Sequence, residues 1–231
     1  MSFAPTSAST DAGEPASKKP KTGDEYFPGV PNKIEYKGPE SHDPLSYRHY
    51  NADEEIMGKK MKDWLKFSVC FWHTFRGKGA DPFGFPTMKR HYDDESDSME
   101  NAKRRADAAF EMFTKLGVEY YTFHDRDVAP EGGTLEESNA AMDEMADYLK
   151  ALQEKTGVKL LWATQNLFSH PRYMNGGLTN PDAHVFAYAC SQVKKVMDVN
   201  HKLGGENLVF WGGREGYQSV LNTDVSMIML I

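Results

Sequence analysis

The feature that most constrains this chain is a unit that recurs three times: an amphipathic helix, a glycine that stops it, and at once a short apolar strand running into a polar loop. In the first unit Asp97 and Glu100 form a capping pattern, and Ala102, Ala106, Ala109, Phe110, Phe113 and Leu116 trace one helix face. Gly117 then stops the helix before the strand VEYYTFH at 118–124. In the second, Thr134 and Glu137 cap a helix whose face is Ala141, Met142, Met145, Leu149 and Leu152, Gly157 ends it, and VKLLWAT follows from Val158. In the third, Asn180-Pro181 places proline at a first helical position, and Val185, Phe186, Ala189, Val193, Val196 and Met197 form the face. Gly204 closes that helix and NLVFW follows from Asn207. One more apolar run, FSVCFWHTF at 67–75, precedes all three and reads as a strand covered on both faces. Serial β/α units pair their strands in parallel through right-handed crossovers, which gives an open doubly wound sheet or a closed barrel. Four strands cannot close a barrel.

The remainder of the chain frames these units. Residues 1–25 are rich in Ser, Ala, Thr, Pro, Gly and charge, with Phe3 their one bulky aromatic, and read as a disordered tail. Lys18-Lys19-Pro20-Lys21 within it is a short, proline-interrupted basic run, which reads as solvated linker rather than a nuclear-localisation patch. Residues 26–66 read as an extended arm followed by a leading helix, in which Asn51 and Glu54 cap and Ile56, Met57, Met61, Trp64 and Leu65 recur at helical spacing. The four β/α units occupy 67–225, and 226–231 form an apolar stub.

Composition narrows the function classes. At 231 residues, with 39% hydrophobic and 26% charged residues, the chain can bury a full core. No apolar stretch reaches the ~18 residues that cross a bilayer, and no secretory signal opens the sequence. The two cysteines, Cys70 and Cys190, lie in apolar segments and no N-x-S/T acceptor occurs, so a reducing, cytoplasmic setting is expected. A net charge of -7 disfavours a dedicated binder of the nucleic-acid backbone and leaves a small neutral ligand as the expected partner.

Chemistry collects where parallel strands end. The first delivers Trp72, His73, Thr74 and Phe75, the second His124, Asp125, Arg126 and Asp127, the third Thr164, Gln165 and Asn166, and the fourth Trp211 to Glu215. Indoles, an imidazole, acids and amides suit a polyhydroxylated ligand, whose C–H faces pack on rings while its hydroxyls need directional partners. His124 and Asp127 stand out, because a carboxylate beside imidazole fixes its tautomer for acid–base work. The same spacing serves a histidine satisfied for structural reasons, Trp72 and Trp211 serve equally as packing, and spacing alone does not separate the readings. The glycines of WGGREG read as a tight turn, Arg214 and Glu215 as a local ion pair, and His73 as a hydrogen-bonded strand-end residue.

Taken together, GADPFG at 79–84, YTFHDRDVAPEG at 121–132, LLWATQNLFSHPRYMNGGLTNPD at 160–182 and NLVFWGGREGYQSVLNTD at 207–224 resemble the xylose isomerase family, most closely its longer class II type, over about 26–225. The resemblance implies a TIM (β/α) barrel, of which this chain would be a half barrel with strands one to four. It implies isomerisation of D-xylose to D-xylulose, and of D-glucose to D-fructose, by ring opening and a metal-assisted hydride shift. It implies His124 as the sugar-contacting histidine of ring opening and Asp127 as the carboxylate that orients it. Trp72 and Trp211 would be aromatic walls and Thr164 a residue near the sugar. Phe83 would reach into a neighbouring subunit's site, which implies a homo-oligomer, a tetramer in the family.

The sequence departs from the family in one large respect. The catalytic lysine and the ligands of the two divalent cations, Mg, Mn or Co, belong in the family to strands five to eight, so none is expected in this chain. Where the family continues from NTD into a charged helix, this sequence reads VSMIMLI, as a truncated, alternatively spliced or misread end would. The expectation is a chain inactive alone, with a non-catalytic half-barrel isoform acting as an interaction protein as the alternative. A related sugar isomerase or an abasic-site endonuclease on the same barrel fits the acidic charge and the long motifs less well.

Overall fold

The computed structural model describes residues 25–81 and 83–215. The tail before Glu25 and the stub at 226–231 lie outside them. At the centre is a parallel sheet of four strands: β5 (Ser68–Cys70), β6 (Tyr120–His124), β7 (Lys159–Thr164) and β8 (Asn207–Val209), side by side in that order. The elements that precede them are two small pairs, β1 (Glu35–Tyr36) with β2 (Ser46–Tyr47) and β3 (Glu55–Ile56) with β4 (Lys59–Lys60), and a single turn of helix, α1 (Met61–Trp64). The crossovers are α2 (Met99–Leu116), α4 (Leu135–Thr156) and α5 (Ala183–Lys202), with the one-turn α3 (Asp125–Val128) directly after β6. The expected α/β class with parallel pairing holds, and among the described residues the sheet is open rather than a closed barrel.

The crossover helices form for the reasons their sequences suggest. Gly117 and Gly157 take left-handed conformations, φ 71° and 76°, that only glycine adopts without strain, and so end α2 and α4. At Gly117 a Cβ would also stand 2.5 Å from Lys33 Cε, so that flexible side chain would have to move. Thr134 and Glu137 make the expected capping box on α4. Two caps fall later than the spacing suggests. Ser98, not Asp97, caps α2 by accepting from Asn101 N, while the Asp97 carboxylate accepts from Glu131 N. Asp182, not the Asn180-Pro181 pair, caps α5 by accepting from His184 N.

The core lies between the sheet and these helices. Phe110 and Phe113 of α2 enclose Tyr121 of β6 from one side, with centroid separations of 5.1 and 5.8 Å. Burying each such ring is worth roughly 1.5–3 kcal/mol, so this cluster carries much of the α2–sheet contact. Met142, Met145 and Leu149 of α4 are buried as expected, whereas Phe186 and Met197 of α5 are exposed and Gln192, Val199 and Asn200 take the buried face in their place.

Two segments differ from the sequence reading. The periodic stretch from Ile56 to Leu65 is not one helix: Met57 and Gly58 both take positive φ, 53° and 78°, and close the β3–β4 hairpin, leaving only Met61–Trp64 helical. Of its apolar residues Ile56, Met57, Trp64 and Leu65 are exposed, Met57 at 90%, and Met61 is half-buried. The run 67–75 is strand for only three residues, and Trp72–Arg76 then coils into a π-helical turn that keeps Phe71 and Phe75 in the core. Nor is β5 covered on both faces, since Ser68 is exposed and Val69 and Cys70 are half-buried. The arm from Glu25 to Tyr50 fastens to the C-terminal half of α2. Its Tyr26 and Phe27 amides donate to the Glu111 carboxylate at 2.7 and 2.8 Å, and the Tyr47 hydroxyl donates to Leu116 O at 2.7 Å.

Candidate functional site

The C-terminal ends of β5 to β8 open onto a cleft of about 600 Å³ lined by Trp72, His73, His124, Asp127, Trp162, Thr164, Asn166, Phe168, Ser169, Val209 and Trp211. Each strand end contributes because each is followed by a loop or turn that leaves the sheet at that rim. The π-turn after β5 swings Trp72 over the cleft. β6 ends in His124, and the one-turn α3 brings Asp127 back beneath it. Alternation along β7 turns Trp162 and Thr164 to one face.

His124 and Asp127 form one unit. A single carboxylate oxygen, Asp127 Oδ2, accepts from the His124 backbone N–H at 2.7 Å and lies 2.9 Å from His124 Nδ1, with both residues buried. The imidazole thus donates through Nδ1, and Nε2 is the ring nitrogen left to meet a ligand. α3 is held from behind by Arg105, which is buried on α2, donates to Asp127 O at 3.2 Å and pairs with Asp93 at 3.2 Å.

Aromatic rings surround the imidazole. Trp72 stands 4.7 Å from it and Phe168 5.3 Å, both edge to face, with Trp211 at 6.4 Å. Trp162 lies beside Trp72 at 5.5 Å, and Phe168 meets Trp211 at 4.7 Å and 90°. Trp211 folds so closely over Gly213 that any Cβ there would overlap the indole. Thr164 Oγ1 donates to Val209 O at 2.6 Å, tying β7 to β8 at the cleft floor. Such a site offers flat apolar walls to C–H faces and one imidazole nitrogen, with Asn166, Ser169 and His73 at the lip, to hydroxyls.

Five of the six residues singled out from sequence meet here: Trp72, His124, Asp127, Thr164 and Trp211. Phe83 does not line the cleft and is fully exposed on the loop before α2. His73 is exposed and packs against Trp72 at 6.0 Å rather than being a hydrogen-bonded strand-end residue. Glu215 is not the partner of Arg214. Its carboxylate accepts from the backbone N–H groups of Gly177, Leu178 and Thr179 at 2.9–3.2 Å and from the Thr179 hydroxyl. Trp162 and Phe168 escaped the sequence reading. Period-2 alternation from Thr164 points to Trp162, whereas nothing local marks Phe168.

A second hollow of about 420 Å³ lies at the opposite ends of β5 and β6, with Lys33, Lys62 and Lys66 among its walls. Two of these lysines are already paired, Lys62 with Glu119 at 3.5 Å and Lys66 with Glu206 at 2.6 Å. Among the described residues no three His, Cys, Asp or Glu side chains cluster so as to hold a metal ion, and no helix is long and apolar enough to cross a membrane.

No family model matches the chain. Curated proteins do. It is 59% identical to a xylose isomerase of Hordeum vulgare over 201 residues, which are 87% of this chain and 42% of that relative. It is 55% identical to one of Arabidopsis thaliana over 225 residues, 97% of this chain and 47% of the relative. One of Thermotoga maritima is 54% identical over 203 residues, 88% and 46% of the two chains. The chain spans somewhat under half the length of these relatives. Over most of its length, therefore, this chain, with its series of parallel β/α units and its histidine–carboxylate pair and aromatic walls at one rim, is similar to proteins named xylose isomerase.

Proposed function

We propose that this chain supplies the sugar-handling half of an aldose–ketose isomerase that converts D-xylose to D-xylulose, and D-glucose to D-fructose, as four β/α units of a TIM barrel over 67–225 with the arm and hairpin of 26–66 packed beside them. The observation that carries the reading is the His124–Asp127 pair beneath Trp72, Phe168 and Trp211. The name of the relatives supports it.

In this reading a pyranose stacks its C–H faces on Trp72 and Trp211 and turns its anomeric hydroxyl toward His124 Nε2. The imidazole takes the proton from that hydroxyl as the ring bond breaks and returns one to the ring oxygen, so ring opening is balanced within the sugar. Asp127 holds Nδ1–H throughout, and Thr164 fixes the floor against β8. The hydride shift is a different matter. The family implies two divalent cations, which polarise the sugar oxygens when bound. The described residues bring no cluster that fits such ions, so no step of the shift is assigned to them. Phe83, exposed on its loop, is proposed to reach a neighbouring subunit of a cytoplasmic homo-oligomer, a tetramer as in the family.

The test mixes the purified chain with a separately produced C-terminal half of a relative, in Mg²⁺ and D-xylose, and follows xylulose. Activity is expected only in the mixture, and His124→Gln should lower kcat there by roughly 10²–10³-fold. Activity of the mixture no greater than that of the C-terminal half alone sinks the proposal. A second reading, a non-catalytic interaction protein, is favoured by the exposure of both edge strands, β5 and β8. It predicts stable association with the C-terminal half or a second copy without any response to sugar.

A further inference from the structure

Directly after His124 the chain buries a carboxylate that faces away from the cleft. Asp125 is 2% exposed, and burial pushes its carboxyl above the ordinary range even though Arg126, Asn166 and Gln192 favour its charged form. A buried carboxylate is retained only where donors repay its desolvation. Here Oδ1 accepts from the backbone N–H groups of Arg126 and Asn166 at 2.9 and 2.8 Å, and Oδ2 accepts from Gln192 Nε2 at 2.7 Å. Gln192 Nε2 also reaches Asn166 O at 3.1 Å, and its Oε1 accepts from the Tyr173 hydroxyl at 2.7 Å. The backbone of Asn166 is therefore gripped at both its N–H and its carbonyl, from the start of α3 on one side and α5 on the other.

That grip sets a wall of the cleft. The Asn166 side chain turns the loop after β7, its Oδ1 accepting from Phe168 N at 3.3 Å and Ser169 N at 2.9 Å while its Nδ2 donates to Ser169 Oγ at 3.0 Å. The turn delivers Phe168 to 5.3 Å from the His124 ring and 4.7 Å from Trp211. We infer that Asp125, which touches no ligand itself, is the positioning residue that holds Phe168 opposite His124, acting through Asn166 and Gln192. Strand end, loop and helix are joined by this one carboxylate, so His124 and its aromatic wall keep a fixed separation. This deepens the sugar-site reading proposed above and rests on it for its functional meaning.

The test uses the full chain with labelled histidine and phenylalanine. NOEs between the His124 and Phe168 rings are recorded for the wild type, for Asp125→Asn and for Gln192→Ala. The first change sets an amide N–H against Gln192 Nε2 or Asn166 N, and the second removes the link to α5 alone. Loss of the ring contact in Asp125→Asn and its weakening in Gln192→Ala, at unchanged far-UV circular dichroism, is the expected result. Retention of the contact in a folded Asp125→Asn overturns the inference. If Asp125→Asn does not fold, Gln192→Ala decides: a weakened contact supports the inference, and an unchanged one overturns it. Titration with D-xylose, followed by tryptophan fluorescence, should show a midpoint weakened roughly tenfold in Asp125→Asn. A wild type that does not respond to D-xylose sinks the sugar reading, while the NOEs still decide the positioning.

Discussion

Tyr121 shows how a single side chain can cost the fold what its neighbours contribute. Its ring is stacked on Phe113 and Phe123 and fully buried, yet among the described residues its hydroxyl has no hydrogen-bond partner, and burial drives the phenol far above its ordinary range. An unpaired buried hydroxyl costs about 1–3 kcal/mol, so Tyr121→Phe is expected to raise stability by about 1 kcal/mol. Urea denaturation checks this: the midpoint should rise at constant slope, and a lower midpoint contradicts it. Asp94 works in the opposite sense. The Ser96 hydroxyl, with Arg104 beside it, holds its carboxyl down to about 2 from an ordinary 3.8. A depressed carboxyl adds stability that is complete above its unfolded value and is lost as pH falls through 3.8 toward about 2. Asp94→Asn should flatten that part of the acid dependence of the thermal transition, and an unchanged profile counts against the pairing. At this scale the sequence is informative where partners are near in number. His124 and Asp127 are three residues apart and could be matched by eye, whereas Asp125 finds Gln192 67 residues away, across a helix the sequence does not orient.

Helices whose ends carry their own instructions are the elements most fully written in the chain. In α4, Thr134 and Glu137 satisfy each other's backbone N–H groups and Gly157 supplies the left-handed exit, so start, face and stop agree. Thr134→Ala is expected to cost about 1 kcal/mol, read as a lowered thermal transition, and a loss below the error of the melt would show that tertiary packing alone sets this end. Elements without such signals were misread for a physical reason. An apolar run such as 67–75 looks the same whether it is a buried strand or a strand that coils at Phe71, because both bury the same side chains. The helical spacing of Ile56 to Leu65 yields to the Met57–Gly58 turn, since two successive positive-φ residues close a two-residue hairpin and cannot continue a right-handed helix.

Across the molecule, burial falls from the middle of the sheet to its edges. Every residue of β6 is buried, while β5 and β8 each expose one residue and half-bury two. Opening free energy follows such gradients, so the amides of Tyr121 and Phe123 should exchange with deuterium far more slowly than those of Val69 or Leu208. Equal protection would mean that the edges are covered. The α/β class and the parallel order were legible because each unit repeats. The shape of the cleft was not, since it depends on where loops turn after strands end. The strand order carries one more consequence. Positions in the sheet run β5, β6, β7, β8, as in the chain, so each strand joins the one synthesised just before it. A nascent chain leaving the ribosome can thus zip its sheet from the N-terminal side, one crossover at a time, without waiting for a distant partner.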